Sequence, residues 1–249
     1  WAITQRGITR RLMGLYDEAL TDFNHALELD NTDTWAITQR GITRRLMGLY
    51  DEALTDFNHA LELDNTYVWA ITQRGSTHRQ AGRLDDALSD LTHAIELDPS
   101  DVHALAERCI SYRQGSRPGE ARADLEILLQ ASPDDADYLF EQAMLNTVTH
   151  GLGTALPDWT VLFGLPFESG DMGMGGRFIP FFRKLLLEPD ADPIPELQAA
   201  IGRYSCHDTA VDLFLYLGEL EAVPGAHVRA VTLCQRYLLD HSALPLPCV

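Results

Sequence analysis

The sequence is poor in lysine and has no long apolar run. Lys184 is the single lysine among 249 residues, and every other basic residue is arginine. The 37 acidic and 19 basic residues give a net charge of −18, which disfavours whole-molecule attraction to nucleic acid or to an anionic membrane. No apolar run approaches the ~20 residues that span a bilayer, and no signal peptide is visible. We therefore expect neither nucleic acid nor a membrane as a partner.

Cysteines are few and irregularly spaced, at Cys109, Cys206, Cys234 and Cys248. The absence of any C-x-x-C pair argues against a zinc site or a disulfide framework and favours reduced thiols in a cytoplasmic protein. The chain begins with Trp1 in the middle of a repeating pattern, so we interpret it as a piece of a longer array.

What the sequence does contain is a repeat of 34 residues. The heptapeptide WAITQRG occurs three times, and residues 1–32 are identical to 35–66. Aligned blocks of this length share small or apolar residue types at four columns. These columns are Gly7, Gly41, Gly75 and Cys109; Ala19, Ala53, Ala87 and Ala121; Phe23, Phe57, Leu91 and Leu125; and Ala26, Ala60, Ala94 and Leu128.

Each block is predicted to be a hairpin of two helices, which we call helix A and helix B. In the first block, Ile3 and Gly7 lie one turn apart on helix A, and the small Gly7 allows close approach of a neighbouring helix. Gly14 supplies the turn. Helix B follows, with apolar residues at helical spacing and acids in its first turn. Asp33 or Thr34 is the candidate N-cap of the next helix A.

These columns resemble the tetratricopeptide-repeat family, whose 34-residue units carry small, Gly-x-Tyr, Ala, Phe and Ala positions in this order. The Gly-x-Tyr element is Gly14 with Tyr16 and Gly48 with Tyr50, and it weakens to Gly82 with Leu84. The resemblance implies an all-α fold, a right-handed solenoid of helical hairpins. One departure is an arginine or histidine (Arg10, Arg44, His78) where the family usually places an aromatic residue. We expect each to pair with an acid of helix B or to extend to water.

The predicted organisation has three parts. Residues 1–136 form four repeats, 1–34, 35–68, 69–102 and 103–136. Residues 137–168 are a candidate degenerate fifth repeat, with Ala143, Leu152, Ala155, Trp159 and Leu162 in the core columns and Pro157 disturbing its second helix. Residues 169–249 are a loop followed by a divergent helical region that caps the array. The loop is predicted at 164–176, and the helices at 177–187, 194–204, 207–221 and 226–240.

One stripe of helix A turns away from the predicted core face. Its spacing is i, i+3, i+7, i+10, and it recurs in each repeat. We call it the A-helix stripe; its members are Trp1, Thr4, Ile8, Arg11, Trp35, Thr38, Ile42, Arg45, Trp69, Thr72, Ser76, Arg79, His103 and Arg113. The resemblance implies that A helices line a concave groove, so the stripe is the candidate ligand-binding surface.

The stripe carries a tryptophan ladder and an arginine ladder, and 1–13, 35–47 and 69–81 contain no acid. We hypothesise a basic groove for an extended acidic peptide or an anionic C-terminus. A structural interpretation stands beside it: the tryptophans pack on the preceding repeat, and Asp22, Asp56 and Asp90 neutralise the arginines. For a second arginine set, Arg6, Arg40, Arg74 and Arg108, we favour intramolecular ion pairs. The Lys and Asn clamp that some relatives use for chaperone tails is absent, because Thr4 and Ile8 occupy those positions.

Motifs typical of metal binding or catalysis are weak. His25, His59 and His93 are one repeat apart, too far to share a metal ion. The segment GDMGMGG lacks the Lys-Ser/Thr of a phosphate loop. Cys206, His207 and Asp208 are adjacent, and adjacent helical residues do not face one another. We expect no metal and no cofactor.

The sequence thus predicts a non-catalytic protein-interaction module, a scaffold or sensor arm that binds a protein or peptide. Two alternatives stay open. One is a structural, self-associating array, because nothing covers the first repeat. The other is an enzyme whose site lies in 150–249.

Overall fold

The computed structural model describes residues 1–164, 174–188, 191–203, 207–223 and 228–241. These described residues form helices joined by short turns and contain no β-strand. The fold is therefore all-α, as predicted. No described helix combines the length and the apolar character that a membrane crossing requires.

The first eight helices alternate as the A and B helices of four hairpins. The A helices are α1 (Ala2–Leu12), α3 (Thr34–Leu46), α5 (Val68–Gln80) and α7 (Val102–Gln114). The B helices are α2 (Tyr16–Leu29), α4 (Tyr50–Leu63), α6 (Leu84–Leu97) and α8 (Pro118–Ala131).

Glycine follows helix A in the first three repeats, and Ser116 (φ 56°) takes its place in the fourth. Gly14 has φ +75°, its N–H donates to the carbonyl of Arg11 (2.9 Å), and the N–H of Leu15 donates to that of Arg10 (2.9 Å). This pair of bonds satisfies carbonyls at the helix end and needs a left-handed residue, which glycine adopts without steric cost. At the start of α3, Asp33 is the N-cap, and its side chain accepts from the N–H of Ala36 (3.1 Å).

Small residues on helix A bring the two helices of a hairpin into contact. A Cβ built on Gly41 would lie 2.7 Å from Cε1 of Phe57, and the identical Gly7 stands in the same relation to Phe23. Phe23 and Phe57 are fully buried. The residue at this position of helix A must therefore be small, because the phenylalanine ring from helix B occupies the space that a larger side chain would need.

The chain divides into two compact units. The first is Trp1–Glu107, and the second comprises nearly all of the chain from Arg108 onward. In the first unit, small apolar clusters lie within and between successive hairpins: Ile42, Ala53 and Phe57 form one, and Ile37, Ala60 and Ala70 form another. Each hairpin thus completes the core of its neighbour, which is the packing of a helical-hairpin solenoid.

The second unit contains a further hairpin and four more helices. Its additional described helices are α9 (Ala136–His150), α10 (Leu152–Phe163), α11 (Met174–Leu187), α12 (Ile194–Arg203), α13 (His207–Glu221) and α14 (Val228–His241). The five residues predicted for the core of 137–168 are all buried. Its largest cluster stacks Trp159 against Phe163 and Phe182, with Phe140 edge-on to both Trp159 and Phe182.

Two local predictions were wrong. Pro157 does not break α10, because it lies in the second turn, where its missing N–H leaves only the carbonyl of the exposed Gly153 without a helical partner. The predicted loop 164–176 is too long, since α11 begins at Met174. The remainder of that loop, 165–173, lies outside the described residues, as do Cys206 and Cys248.

Candidate functional site

One arginine of each A helix forms an ion pair within its own hairpin. The partner lies 16 residues ahead on helix B, and the shortest distances are 2.6 to 2.7 Å. The pairs are Arg6–Asp22, Arg40–Asp56, Arg74–Asp90 and Arg108–Asp124. The four aspartates are buried, so each requires a cationic partner. The predicted intramolecular pairing of this arginine set is confirmed.

The unusual basic residue in the aromatic column contacts the same aspartate. Arg10 lies 2.7 Å from Asp22, and Arg44 lies 2.7 Å from Asp56. The hydrogen bond from Arg6, together with the charge of Arg10, outweighs burial and lowers the pKa of Asp22. Asp22 and Asp56 therefore each form ion pairs with two arginines of helix A. The expected pairing of Arg10 and Arg44 with an acid of helix B is confirmed.

The arginine ladder of the A-helix stripe bonds forward to the next A helix. Each arginine donates to a residue 28 positions ahead, and the acceptor changes along the chain. Arg11 donates to Oε1 of Gln39 (3.3 Å) and Arg45 to Oε1 of Gln73 (3.4 Å). The later bonds are Arg79 to Glu107 (2.7 Å) and Arg113 to Glu141 (2.9 Å). Two of these forward bonds thus go to amides, and two go to carboxylates.

The two carboxylate-bonded arginines are buried ion pairs. Burial alone would raise the pKa of Glu107, but the charge and hydrogen bond of Arg79, together with the charge of Arg45 and a hydrogen bond from Ser76, outweigh it and lower that pKa. Arg113 is bonded to both Glu141 and Glu219, and its guanidinium lies 4.7 Å from the ring centre of Tyr216. Arg79 and Arg113 therefore connect helices of this chain to one another. The predicted basic groove is wrong at these two positions, because their counter-charges come from later helices of the same chain, α7, α9 and α13.

The stripe tryptophans are progressively buried along the chain. Trp1 is 86% exposed and Trp35 is 38% exposed. Trp69 packs against the cluster of Ile42, Ala53 and Phe57, and its ring meets that of His103 edge-on at 5.9 Å. Trp69 thus packs on the preceding repeat, as the structural interpretation of the tryptophans predicted.

Half of the stripe is closed to solvent. Two of its short polar side chains are buried with their hydroxyls bonded: Thr72 Oγ1 donates to Asp101 of the next repeat (2.9 Å), and Ser76 Oγ donates to the carbonyl of Thr72 (3.1 Å). The buried members are Thr4, Thr38, Ile42, Thr72, Ser76, Arg79 and Arg113. The members that keep accessible surface are Trp1, Ile8, Arg11, Trp35, Arg45, Trp69 and His103.

Sequence reasoning missed the forward acceptors. Gln39, Gln73, Glu107 and Glu141 occupy one column of the repeat, so the alignment contained the change from amide to carboxylate. Nothing in a single repeat connects this column to the arginine, because the two residues meet only across stacked A helices.

The second unit contains a cleft of about 890 Å³. Its walls come from the end of α7, the α9–α10 junction and the end of α13. Arg113 and Glu219 lie in its wall and are bonded to each other, so their charges already serve the packing of the unit. Among the described residues, no three His, Cys, Asp or Glu side chains are grouped to hold a metal ion. The described free thiols, Cys109 and Cys234, are buried, and burial raises the pKa of Cys234 to about 12.

Comparison with known sequences identifies the repeat. Profiles described as tetratricopeptide repeat match residues 2–33 and 72–136. No curated protein matches the chain.

Solved structures of the same fold cover much of the chain. A thermophilic tetratricopeptide-repeat (TPR) protein in Thermus thermophilus is 22% identical over 65% of this chain and 89% of its own, with a TM-score of 0.57. PilF of Pseudomonas aeruginosa is 17% identical over 82% and 91%, with a TM-score of 0.59. YrrB is 19% identical over 65% and 83%, with a TM-score of 0.51. These likenesses show the fold.

Proposed function

We propose that this tetratricopeptide-repeat protein is a non-catalytic interaction module that holds a peptide or an extended protein segment against the open part of its A-helix stripe. The family is generally non-catalytic and serves protein–protein interaction. YrrB is described as a TPR protein with an unusual peptide-binding site. We take that description as support for the class of ligand.

The observation that carries the proposal is the set of accessible aromatic side chains on successive A helices. Trp35 and His103 keep accessible surface on helix A. Aromatic side chains supply large contact areas with few rotatable bonds and are enriched among residues that dominate binding.

A random 12-residue peptide library displayed on phage tests this function. The immobilised chain should enrich a defined peptide class, and the synthetic peptides should bind in fluorescence polarisation. The variant Trp35→Ala with His103→Ala should weaken binding by about tenfold or more, since hot-spot aromatics contribute about 2 kcal/mol. The matched control, His25→Ala with His59→Ala on exposed positions of helix B, should leave binding unchanged. Failure to enrich any peptide, or equal binding by the stripe variant, would refute the function.

A second candidate is self-association, which can be tested on the surface of the first described hairpin. Leu12 and Met13 are 74% and 69% exposed in this chain, whereas the equivalent Leu46 and Met47 are half-buried, so another repeat or a second copy of the chain could occupy this surface. Light scattering across concentrations should show a rising mass if this apolar surface pairs, and Leu12→Glu with Met13→Glu should abolish the rise. A constant monomer mass at high concentration would exclude this candidate.

A further inference from the structure

The cleft of the second unit contains a buried hydrogen-bond donor that the packing of the unit does not use. Arg113, in the wall of the cleft, is 4% exposed. Its Nε donates to Glu141 (2.9 Å) and its Nη1 donates to Glu219, whereas no described residue accepts from its Nη2, which is buried. A buried N–H group without an acceptor costs free energy, and an acceptor brought into the cleft would recover that cost.

The start of α10 lines the same cleft and offers further donors. The N-cap of this helix is Gly151, which has no side chain to accept from the first turn, and the first turn contains no acid. Ala155 is the first residue of the helix whose N–H bonds backward, to the carbonyl of Gly151 (3.3 Å). The N–H groups of Leu152, Gly153 and Thr154 therefore have no acceptor within the helix, and all three residues line the cleft.

The charges in the wall favour an uncharged ligand. Among the described lining residues, Arg113 and Glu219 are those that carry a full charge at neutral pH, and Arg113 is paired with both Glu219 and Glu141. Two carboxylates against one guanidinium leave a surplus of negative charge, which disfavours an anion at Nη2. The wall also contains the apolar side chains of Pro118, Val148, Leu152 and Val223. A carbonyl oxygen, which has two lone pairs and no net charge, is the acceptor that suits this wall.

We propose that the cleft binds a small uncharged molecule with an apolar body and a carbonyl oxygen, an amide or a ketone, which accepts hydrogen bonds from Nη2 of Arg113 and from the first turn of α10. The volume of the cleft, about 890 Å³, lies in the usual range of small-molecule sites, ~300–1,000 Å³. The site lies within the second unit and does not rest on peptide binding by the A-helix stripe, so either proposal can fail without the other.

A panel of fluorine-labelled aryl amides and ketones supplies the probes, each compared with the carboxylic acid of similar shape; 4-fluorobenzamide and 4-fluorobenzoate are one such pair. Fluorine NMR relaxation measures their binding to the whole chain. We expect amides or ketones to bind with dissociation constants of about 0.1–1 mM, and the matched acids to bind about fivefold more weakly. If no amide or ketone binds at millimolar concentration, water alone serves Nη2 and the proposal is wrong. Acids that bind as tightly as their amides would also refute it.

Gly153 offers a matched pair of variants in the wall. The residue is exposed and a Cβ built on it meets no atom within 4 Å, so Gly153→Ala and Gly153→Asp should both fold. The aspartate brings an acceptor and a negative charge to the start of α10, where the helix dipole favours them. Gly153→Asp should therefore compete with the ligand and weaken amide binding about fivefold, whereas Gly153→Ala should leave it unchanged. Equal affinities of the two variants would refute a site at the start of α10.

The part played by Arg113 is tested on the unmodified chain, because replacing a buried, ion-paired arginine can unfold the unit. A crystal structure with the tightest amide or ketone of the panel should place its carbonyl oxygen within hydrogen-bond distance of Nη2. A carbonyl oxygen bonded elsewhere in the cleft would refute the assignment to Arg113, and a probe bound outside the cleft would refute the site.

Discussion

Residues 1–32 and 35–66 have one sequence but two environments. Trp1 is 86% exposed and Trp35 is 38% exposed; the side chain of Arg6 is 58% exposed and that of Arg40 is 19% exposed. The ion pairs and the turns are the same in both hairpins. Local structure is thus determined within the repeat, whereas burial is determined by the neighbours on either side. Identical residues in the two hairpins can therefore separate these two contributions to stability experimentally.

The largest effect on stability is expected from removing the phenylalanine that is fully buried in both hairpins. Phe57→Ala and Phe23→Ala each remove a fully buried ring, at a cost of about 3–5 kcal/mol. The consequences should spread differently in this 249-residue chain, because a repeat array is stabilised between nearest neighbours, and the first described hairpin packs on one described hairpin whereas the second packs on two. Hydrogen exchange should show faster exchange confined to α1 and α2 for Phe23→Ala, and extending over α1 to α4 for Phe57→Ala. Equal spread in the two variants would contradict the nearest-neighbour account.

The same physics explains what sequence reasoning could predict. An alignment of the repeats could predict the 34-residue period and the helical hairpins. It could also predict contacts made within one repeat, namely that of Gly7 with Phe23 and the pairing of Arg6 with Asp22. The open basic groove was wrong at Arg79 because Glu107 belongs to the following A helix. The burial of Thr38 was likewise invisible, since a threonine that donates to its own helix, here to the carbonyl of Thr34 (2.7 Å), satisfies its hydroxyl without water. Contacts between repeats need the stacking geometry.

A second comparison truncates the same isoleucine of the repeat in two environments that differ in burial. Ile37 is fully buried between hairpins, whereas its equivalent Ile3 is half-buried. Ile37→Ala should cost about 2–4 kcal/mol, and Ile3→Ala about half as much, because the cost follows the apolar area removed from water. Urea denaturation of both variants, followed by circular dichroism, measures this difference. Equal midpoint shifts would mean that something covers Ile3 in solution, which would favour self-association.

The third hairpin has a histidine where the first two have an arginine that contacts the buried aspartate. His78 replaces the arginine of Arg44 and lies 3.9 Å from Asp90 and 4.0 Å from Asp86. Burial, with the charges of Arg74 and Arg83, lowers the pKa of His78 more than Asp90 and Asp86 raise it. Since its folded pKa lies below the unfolded value of ~6.5, stability should fall as pH drops through that value, by less than about 1 kcal/mol.

His78→Arg should remove this pH dependence and give Asp90 the second cation that Asp56 has. Thermal unfolding at pH 7.5 and 5.5 measures the difference between the variant and the unmodified chain, and the change of melting temperature with pH should be smaller in the variant. His93→Arg, on an exposed position of helix B, is the control for added charge alone. An unchanged difference between the two pH values would show that His78 does not contribute.

The smallest effect on stability is expected for the tryptophan that is the first residue of each identical segment. Trp1→Phe should change stability by less than about 0.5 kcal/mol, because an exposed side chain without tight packing contributes little. Trp35→Phe should cost about 1 kcal/mol, because more of its ring is covered. Acrylamide quenching follows the same order: loss of Trp1 should reduce the quenchable fluorescence of the chain more than loss of Trp35. If Trp1 is instead protected, and becomes quenchable on dilution or in Leu12→Glu with Met13→Glu, the first hairpin is covered by another copy. Protection that persists in the dilute monomer would mean that the exposure of Trp1, and with it the contrast between the two hairpins, does not hold in solution.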